Sequence, residues 1–254
     1  MSDELLVEVK DGVGIITFNR PEKINAMSFG MVVKLDETWK QWETDDRVRV
    51  VIVTGIGEKA FSAGGDIFAE VKEEDPNMKP EEKVFGGNRL RMFQAMYPKP
   101  TIGAINGLAY GGGAVMAAMF DMRVGCENTS FCFVGAKRGR IMCTWTLPLI
   151  VGWPKAKEIL LSAKVVKAEE AYHCGLLNHL VPSSEVMNKA MEIATEIASN
   201  DPRLVRGIKG VINQNIGMSM QDMYQNERKA RNTFLQAPPI SVSFSDFIER
   251  KGNP

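Results

Sequence analysis

The sequence is short of the features that mark several large functional classes. It has no excess charge of either sign: 31 lysines and arginines stand against 31 aspartates and glutamates. Nucleic-acid binding draws on an excess of basic side chains on one face, so this balance gives no support for a nucleic-acid partner. It leaves room for a small basic pocket around one phosphorylated ligand. Histidine is scarce, with only His173 and His179. They read as a cation near a helix C-terminus and as a surface or interface residue. The four cysteines, Cys126, Cys132, Cys143 and Cys174, form no Cys-x-x-Cys pair and no grouping with either histidine. They read as reduced, buried thiols, which implies a reducing compartment and no metal site. No apolar run approaches the ~20 residues of a membrane span. The first residues show neither an apolar signal segment nor an Arg-rich presequence. The expectation is a cytoplasmic protein with no membrane partner.

What is present is an ordinary globular composition, 44% apolar and 24% charged, over a length sufficient for one large core. The first half alternates strand and helix patterns. Leu5 to Val9 and Val13 to Phe18 read as strands joined by a tight turn at Asp11-Gly12. Met31, Val32, Leu35, Trp39 and Trp42 recur at helical spacing between Ser28 and Trp42. Val48 to Thr54 is a near-continuous apolar run, the pattern of a buried parallel strand. Lys72 to Lys83 reads as a loop and Leu90 to Met96 as a helix ending before Pro98. Short strands follow at Thr101 to Ile105, Asp121 to Cys126 and Ser130 to Phe133, with a helix from Gly111 to about Phe120. The second half is mostly helical: Lys155 to Leu161, Ala168 to His173, Ser184 to Ser199, Pro202 to Gln214, Met220 to Leu235 and Val242 to Arg250. Strand–helix alternation followed by helices alone predicts an α/β core over 1–195 and a helical C-terminal region over 196–254.

Two glycine-rich elements carry the chemical interest. Lys59-Ala-Phe-Ser-Ala-Gly-Gly-Asp66 follows the strand that ends near Thr54, and Asn106-Gly-Leu-Ala-Tyr-Gly-Gly-Gly113 lies between a strand and a helix. Adjacent glycines let a ligand approach the main chain closely. A glycine turn opening a helix also leaves unpaired N–H groups where the dipole favours developing negative charge. Either element alone reads equally as tight packing; the two together, about 50 residues apart, are the stronger signal.

With those two elements the sequence resembles the crotonase (enoyl-CoA hydratase/isomerase) superfamily. The likeness extends to Asn19-Arg-Pro-Glu-Lys-Ile-Asn-Ala-Met27, Pro98-Lys-Pro, Ala104-Ile-Asn-Gly, Leu147-Pro-Leu-Ile-Val-Gly152, Ala171-Tyr-His-Cys-Gly-Leu-Leu177 and Phe247-Ile-Glu-Arg-Lys251. The resemblance implies a spiral of ββα units, with C-terminal helices that build a homotrimer or a dimer of trimers. It implies an acyl-CoA thioester as substrate, coenzyme A entering as part of that substrate and no bound cofactor. It assigns the amides of Gly65 and Gly112 to the thioester oxygen. Chemistry that forms an enolate puts charge on that oxygen, and two preorganised N–H donors offset several kcal/mol of it. By the same likeness Lys23, Ala26, Lys59, Ala63, Gly64, Asp66 and Ile67 line the path of coenzyme A, and Arg250 or Lys251 touches its phosphates. Each of these lysines also reads as a solvated surface charge, and Asp66 as a cap for local backbone.

The resemblance breaks at the acids. Typical members carry two glutamates that position water and move protons, and here those positions hold Val115 and Gly135. A slot used by related isomerases falls at Cys143, whose thiol is a poor acid–base group near neutrality unless its surroundings shift it; it also reads as a core thiol. Lys137, Arg138 and Arg140 fall where relatives place pocket residues. Arg138 is a candidate clamp for an enolate or an acidic substrate group, or else a structural cation. Tyr110 is a further pocket candidate. Isomerisation, decarboxylation and hydration by unusual groups all remain open, as do a thioester hydrolase and a non-catalytic acyl-CoA-binding subunit.

Overall fold

The structure, a computed structural model, describes residues 3–72, 75, 96–233 and 239–251. The loop expected at Lys72 to Lys83 and the helix expected at Leu90 to Met96 lie almost wholly outside the described residues. The chain divides into two units, Met1–Ser199 and Asn200–Pro254.

The first unit is built by one repeated step. β1 (Leu5–Lys10) and β2 (Val13–Phe18) pair antiparallel across Asp11-Gly12. Both turn residues have positive φ, +50° and +82°, as a tight two-residue hairpin requires. Helix α1 (Phe29–Thr44) follows, with the Ser28 hydroxyl accepting from the Met31 amide at its N-cap. Then come β3 (Val50–Gly55), β4 (Ala60–Ser62) and α2 (Ile67–Lys72); β5 (Thr101–Ile105), β6 (Leu108–Tyr110) and α3 (Gly112–Ala117); and β7 (Met122–Gly125), β8 (Ser130–Cys132) and α4 (Gly135–Arg138). The first step places both of its strands in a six-stranded sheet ordered β1-β2-β3-β5-β7-β10, and each of the next three contributes one strand to that sheet and one to a four-stranded sheet ordered β4-β6-β8-β9. The chain therefore winds as a spiral of ββα units. Helices α5 (Leu147–Val151) and α6 (Trp153–Ser162), strand β9 (Val165–Lys167), helix α7 (Ala168–His173), strand β10 (His179–Leu180) and helix α8 (Val186–Ser199) complete the unit.

The sheets explain the apolar run read in the sequence. β3 pairs in parallel with β2 and β5 and is covered on both faces. Val51 and Val53 join the larger core, which includes Phe61, Phe120 and Phe131; Val50 and Ile52 join a second core beneath α8. Ala190, Ala194 and Ala198 repeat every fourth residue along α8 and let that helix lie close to the sheet. Truncating Ile52 to Ala would cost about 2–5 kcal/mol at such a site.

Three strands escape the sequence reading: β4, β6 and β9 are three residues each, too short for alternation to register. Helix α3 ends at Ala117 rather than Phe120. The reason is Arg123, a buried guanidinium that donates to the carbonyls of Ala117, Phe120 and Leu176. Burial lowers its pKa to about 10, against the favourable charge of Asp121.

The second unit is helical throughout its described residues: α9 (Pro202–Gln214), α10 (Met220–Thr233), α11 (Ile240–Ser243) and α12 (Ser245–Lys251). Proline at the first position and Asp201 as cap, accepting from the Arg203 amide, start α9. The single helix expected at Val242 to Arg250 is two short helices broken at Phe244. Among the described residues no helix is long and apolar enough to cross a membrane.

Candidate active site

The ββα winding brings the two glycine elements against each other. Gly64 has φ +100°, and a Cβ there would lie 2.6 Å from the Gly112 nitrogen. A Cβ on Gly112 would lie 3.4 Å from the Gly65 nitrogen. Only main chain fits between them.

Both amides face the same space. Met27 pairs with Gly65 in an isolated parallel bridge, in which the Met27 amide donates to Gly64 O at 2.7 Å and the Asp66 amide donates to Met27 O at 2.8 Å. In a parallel bridge these bonds use the neighbours of Gly65, so its own N–H points away from Met27. Gly112 begins α3, where the first N–H groups have no intrahelical acceptor. Among the described residues neither amide finds a protein acceptor. Both line a cavity of about 860 Å3.

The loop that supplies Lys23, Ala26 and Met27 is held from behind. Ile24 and Asn25 both adopt left-handed backbone, at φ +54° and +52°. Such conformations persist only where surroundings fix them. The buried Asn25 side chain accepts from the Arg20 amide at 3.1 Å and donates to the carbonyls of Ile56 and Ala60, while its own carbonyl accepts from the Ser62 hydroxyl at 2.8 Å. Arg20 donates to the Ala26 carbonyl and pairs with Glu4 and Asp66. Asp66 also accepts from the Phe68 amide at the start of α2. Partial burial works to raise the Asp66 pKa, but the Arg20 hydrogen bond and the Phe68 and Ala69 amides outweigh it, and the carboxyl sits below its usual range. Asp66 is therefore a fixed anion that anchors the glycine element.

The cavity gathers Lys23, Ala26, Ala63, Gly65, Asp66, Ile67, Gly112 and Arg138 from the residues singled out in the sequence. Gly64 is buried and packs directly against Gly112. Four others stand elsewhere. Cys143 does not line the cavity; it is buried in the larger core with left-handed backbone. Tyr110 lies on β6 with its hydroxyl toward Ser130. Lys59 is exposed before β4, and Arg250 lies on α12 in the second unit.

The two positions where the resemblance leads one to expect acids differ in kind. Val115 is buried, lies on the cavity wall and presents its isopropyl group one turn beyond Gly111. Gly135 is closed to any side chain. A Cβ there would lie well under 3.0 Å from the Arg140 carbonyl oxygen and 3.1 Å from Met142 Cγ. The Arg140 amide donates to Gly135 O at 3.0 Å, so the 139–142 segment is folded back over the glycine.

Residues not singled out in the sequence complete the wall: Phe68, Glu70, Val134, Ile141 and Met142. Glu70 stands one turn beyond Asp66, its amide donating to Asp66 O at 2.9 Å. Its carboxylate pairs with Arg140 at 3.2 Å.

A family model described as enoyl-CoA hydratase/isomerase matches residues 8–254. The chain belongs to the enoyl-CoA hydratase/isomerase family. It is 33% identical over 255 residues to a short-chain-enoyl-CoA hydratase of Clostridium acetobutylicum, covering 98% of this chain and 96% of that protein. It is 31% identical over 252 residues to a carnitinyl-CoA dehydratase of Escherichia coli K12, covering 98% and 94%. A crystal structure of an enoyl-CoA hydratase from Bacillus anthracis superposes with a TM-score of 0.87 at 30% identity, covering 98% of this chain and 97% of that one. The chain is thus an enzyme of the crotonase superfamily, and the two facing amides lie in its one large α/β unit.

Proposed function

We propose that this enzyme forms and quenches an enolate on an acyl-CoA thioester and is not a two-glutamate hydratase. The observation that carries the reading is the pair of unpartnered amides, Gly65 and Gly112, opening on a cavity whose wall holds Val115 at a position where the resemblance implies an acid. As the thioester α-carbon loses a proton or a carboxylate, charge moves to the carbonyl oxygen, and two fixed N–H donors stabilise it selectively. Neither a valine nor a glycine activates water, so hydration of crotonyl-CoA is expected to be slow. Coenzyme A enters with the substrate along Lys23 and Ala26, and no further cofactor is required. The four thiols, none in a disulfide, suit a reducing compartment such as the cytoplasm.

Arg138 favours a second reading within this chemistry. It lines the cavity, and among the described residues it has no carboxylate partner, whereas Arg140 has Glu70. An unpaired guanidinium beside an oxyanion site suits a substrate carboxylate, as in decarboxylation of a malonyl-type thioester.

The test is a mass-spectrometric screen of crotonyl-, 3-butenoyl-, methylmalonyl- and aromatic acyl-CoA, with Gly112→Pro as control. Proline is tolerated at a first helical position and lacks the N–H. Conversion by the wild type that falls about 10²- to 10³-fold in a folded Gly112→Pro variant supports the reading. Conversion indifferent to that change, or crotonyl-CoA hydration at tens per second, overturns it.

A further inference from the structure

The two positions without acids leave the enolate chemistry with no evident proton carrier, and among the described residues five ionisable side chains line the cavity: Lys23, Asp66, Glu70, Arg138 and Arg140. A guanidinium does not give up its proton in a protein, which removes both arginines. Asp66 is engaged by Arg20 at 3.2 Å and caps α2. Lys23 is exposed on the 3-10 turn Pro21–Lys23. Glu70 remains.

Its placement follows from the same local fold that excludes an acid at 135. Helix α2 leaves the glycine element directly, so Glu70 stands one helical turn beyond Asp66, and its amide donates to Asp66 O at 2.9 Å. Ile67 and Phe68 of the same helix also line the cavity but are 71% and 82% exposed. The Glu70 side chain is 26% exposed and turned to the cavity wall. Across the cavity the Arg140 main chain fills the volume beside Gly135 that a glutamate side chain would need, and the guanidinium of that same residue holds the Glu70 carboxylate. The segment that removes one carboxylate thus presents a partner to another.

Resting on the enolate reading above, we infer that Glu70 is the catalytic base and acid of this enzyme, positioned by Arg140. The Glu70 carboxylate takes a proton from the thioester α-carbon. The C–H bond electrons become the enolate carbon–carbon bond, and the carbonyl π pair moves to the oxygen held by Gly65 and Gly112. Return of the proton from the Glu70 carboxylic acid to the α- or γ-carbon regenerates the carboxylate, so the cycle consumes nothing and can shift a double bond. Arg140, being 59% exposed, has room to follow the carboxylate as it engages substrate.

The experiment is deuterium incorporation from D2O into butyryl-CoA and 3-butenoyl-CoA, read by mass spectrometry, for wild type, Glu70→Gln and Gly112→Pro. Thioester affinity and thermal unfolding are measured alongside. Glu70→Gln keeps the shape and removes the base, and the expected result is exchange slowed about 10²- to 10⁴-fold. Affinity stays within about twofold and unfolding within a few degrees, which a merely structural role would not leave in place. Wild-type exchange that Gly112→Pro abolishes and Glu70→Gln preserves overturns the Glu70 assignment alone and leaves the enolate reading standing. Absence of exchange in the wild type on both thioesters overturns the assignment together with the reading beneath it.

Discussion

Placing glutamates at 115 and 135 is the sharpest perturbation, because the geometry says that one of them has no place to go. At Val115 a glutamate replaces a side chain already on the cavity wall. At Gly135 even a Cβ collides with a main-chain oxygen. For that Cβ to reach 3.4 Å, the near limit of ordinary contact, the Arg140 carbonyl must withdraw by about 1 Å. Met142 Cγ, at 3.1 Å, blocks the adjacent direction. Movement of Arg140 O loosens its own amide's hydrogen bond to Gly135 O and draws its guanidinium from Glu70. Overpacking of this kind costs about 1–3 kcal/mol. In a protein of this size each kcal/mol lowers the melting temperature by about 2–4 °C, so Gly135→Glu should fall by roughly 2–12 °C. Calorimetry on Gly135→Ala, Gly135→Glu and Val115→Glu measures the first part. Crotonyl-CoA hydration, followed by loss of enoyl absorbance, measures the second. The double variant should be unstable and remain a poor hydratase. A double variant that melts with the wild type and hydrates at tens per second would refute the reasoning, because position 135 would then be free to hold an acid.

Two further expectations concern regions away from the cavity. Glu158 is held down at about 2 by hydrogen bonds from Lys164 and then Lys155, against an ordinary value of 4.5. A depressed carboxylate contributes stability that is present above its unfolded value and lost as pH falls through the folded one. The difference in melting temperature between wild type and Glu158→Gln should therefore be constant above about pH 5 and close between pH 4.5 and 2; an unchanged difference at pH 2 would contradict the assignment. The second expectation rests on the helical unit, where Leu204, Ile208, Ile212 and Ile216 repeat every fourth residue with 37–62% exposure. Such a stripe suits association of copies. Light scattering should give a trimer or hexamer, and Ile208→Glu with Ile212→Glu should release monomers; a monomeric wild type would count against association.

Much of the fold was legible because its signals are local. The β3 run Val50–Gly55 is apolar throughout because it is buried on both faces, and the Ser28 cap and the Met31 to Trp42 stripe mark α1 without any tertiary knowledge. Apart from β8, the four-stranded sheet was not legible. Its strands are two or three residues of ladder beside glycine turns, and they exist because β3, β5 and β7 deliver the chain there. The pair of facing amides was legible as two glycine elements, but their contact, Gly64 against Gly112, is a consequence of the winding. The slot at Cys143 was placed by counting along the chain, and that count crosses the 139–142 segment that folds back over Gly135. Glu70 was passed over for a related reason. Its sequence position gives a helix surface glutamate, and only the approach of Arg140 turns it into a wall of the cavity.

That approach bears on how the absence of acids should be understood. A simple loss of function at 135 would leave space where a side chain had been, and water or a neighbour's side chain would fill it. Here main chain fills it, closed by a hydrogen bond between Arg140 N and Gly135 O. Filling with backbone is not undone by one substitution, because the carbonyl that intrudes is fixed by the turn at Gly139, whose φ is +66°. The same turn places a guanidinium opposite Glu70 on the far wall. Arrangements left by drift have no reason to exchange one acid for another at the same cavity while preserving both amides and the Asn25 clamp behind them. The geometry is that of a site rebuilt around a different proton carrier, and the comparison of Glu70→Gln with Gly135→Ala separates the two accounts. If the site was rebuilt, the first variant loses exchange without losing stability, and the second loses stability and, through Arg140, a smaller share of exchange.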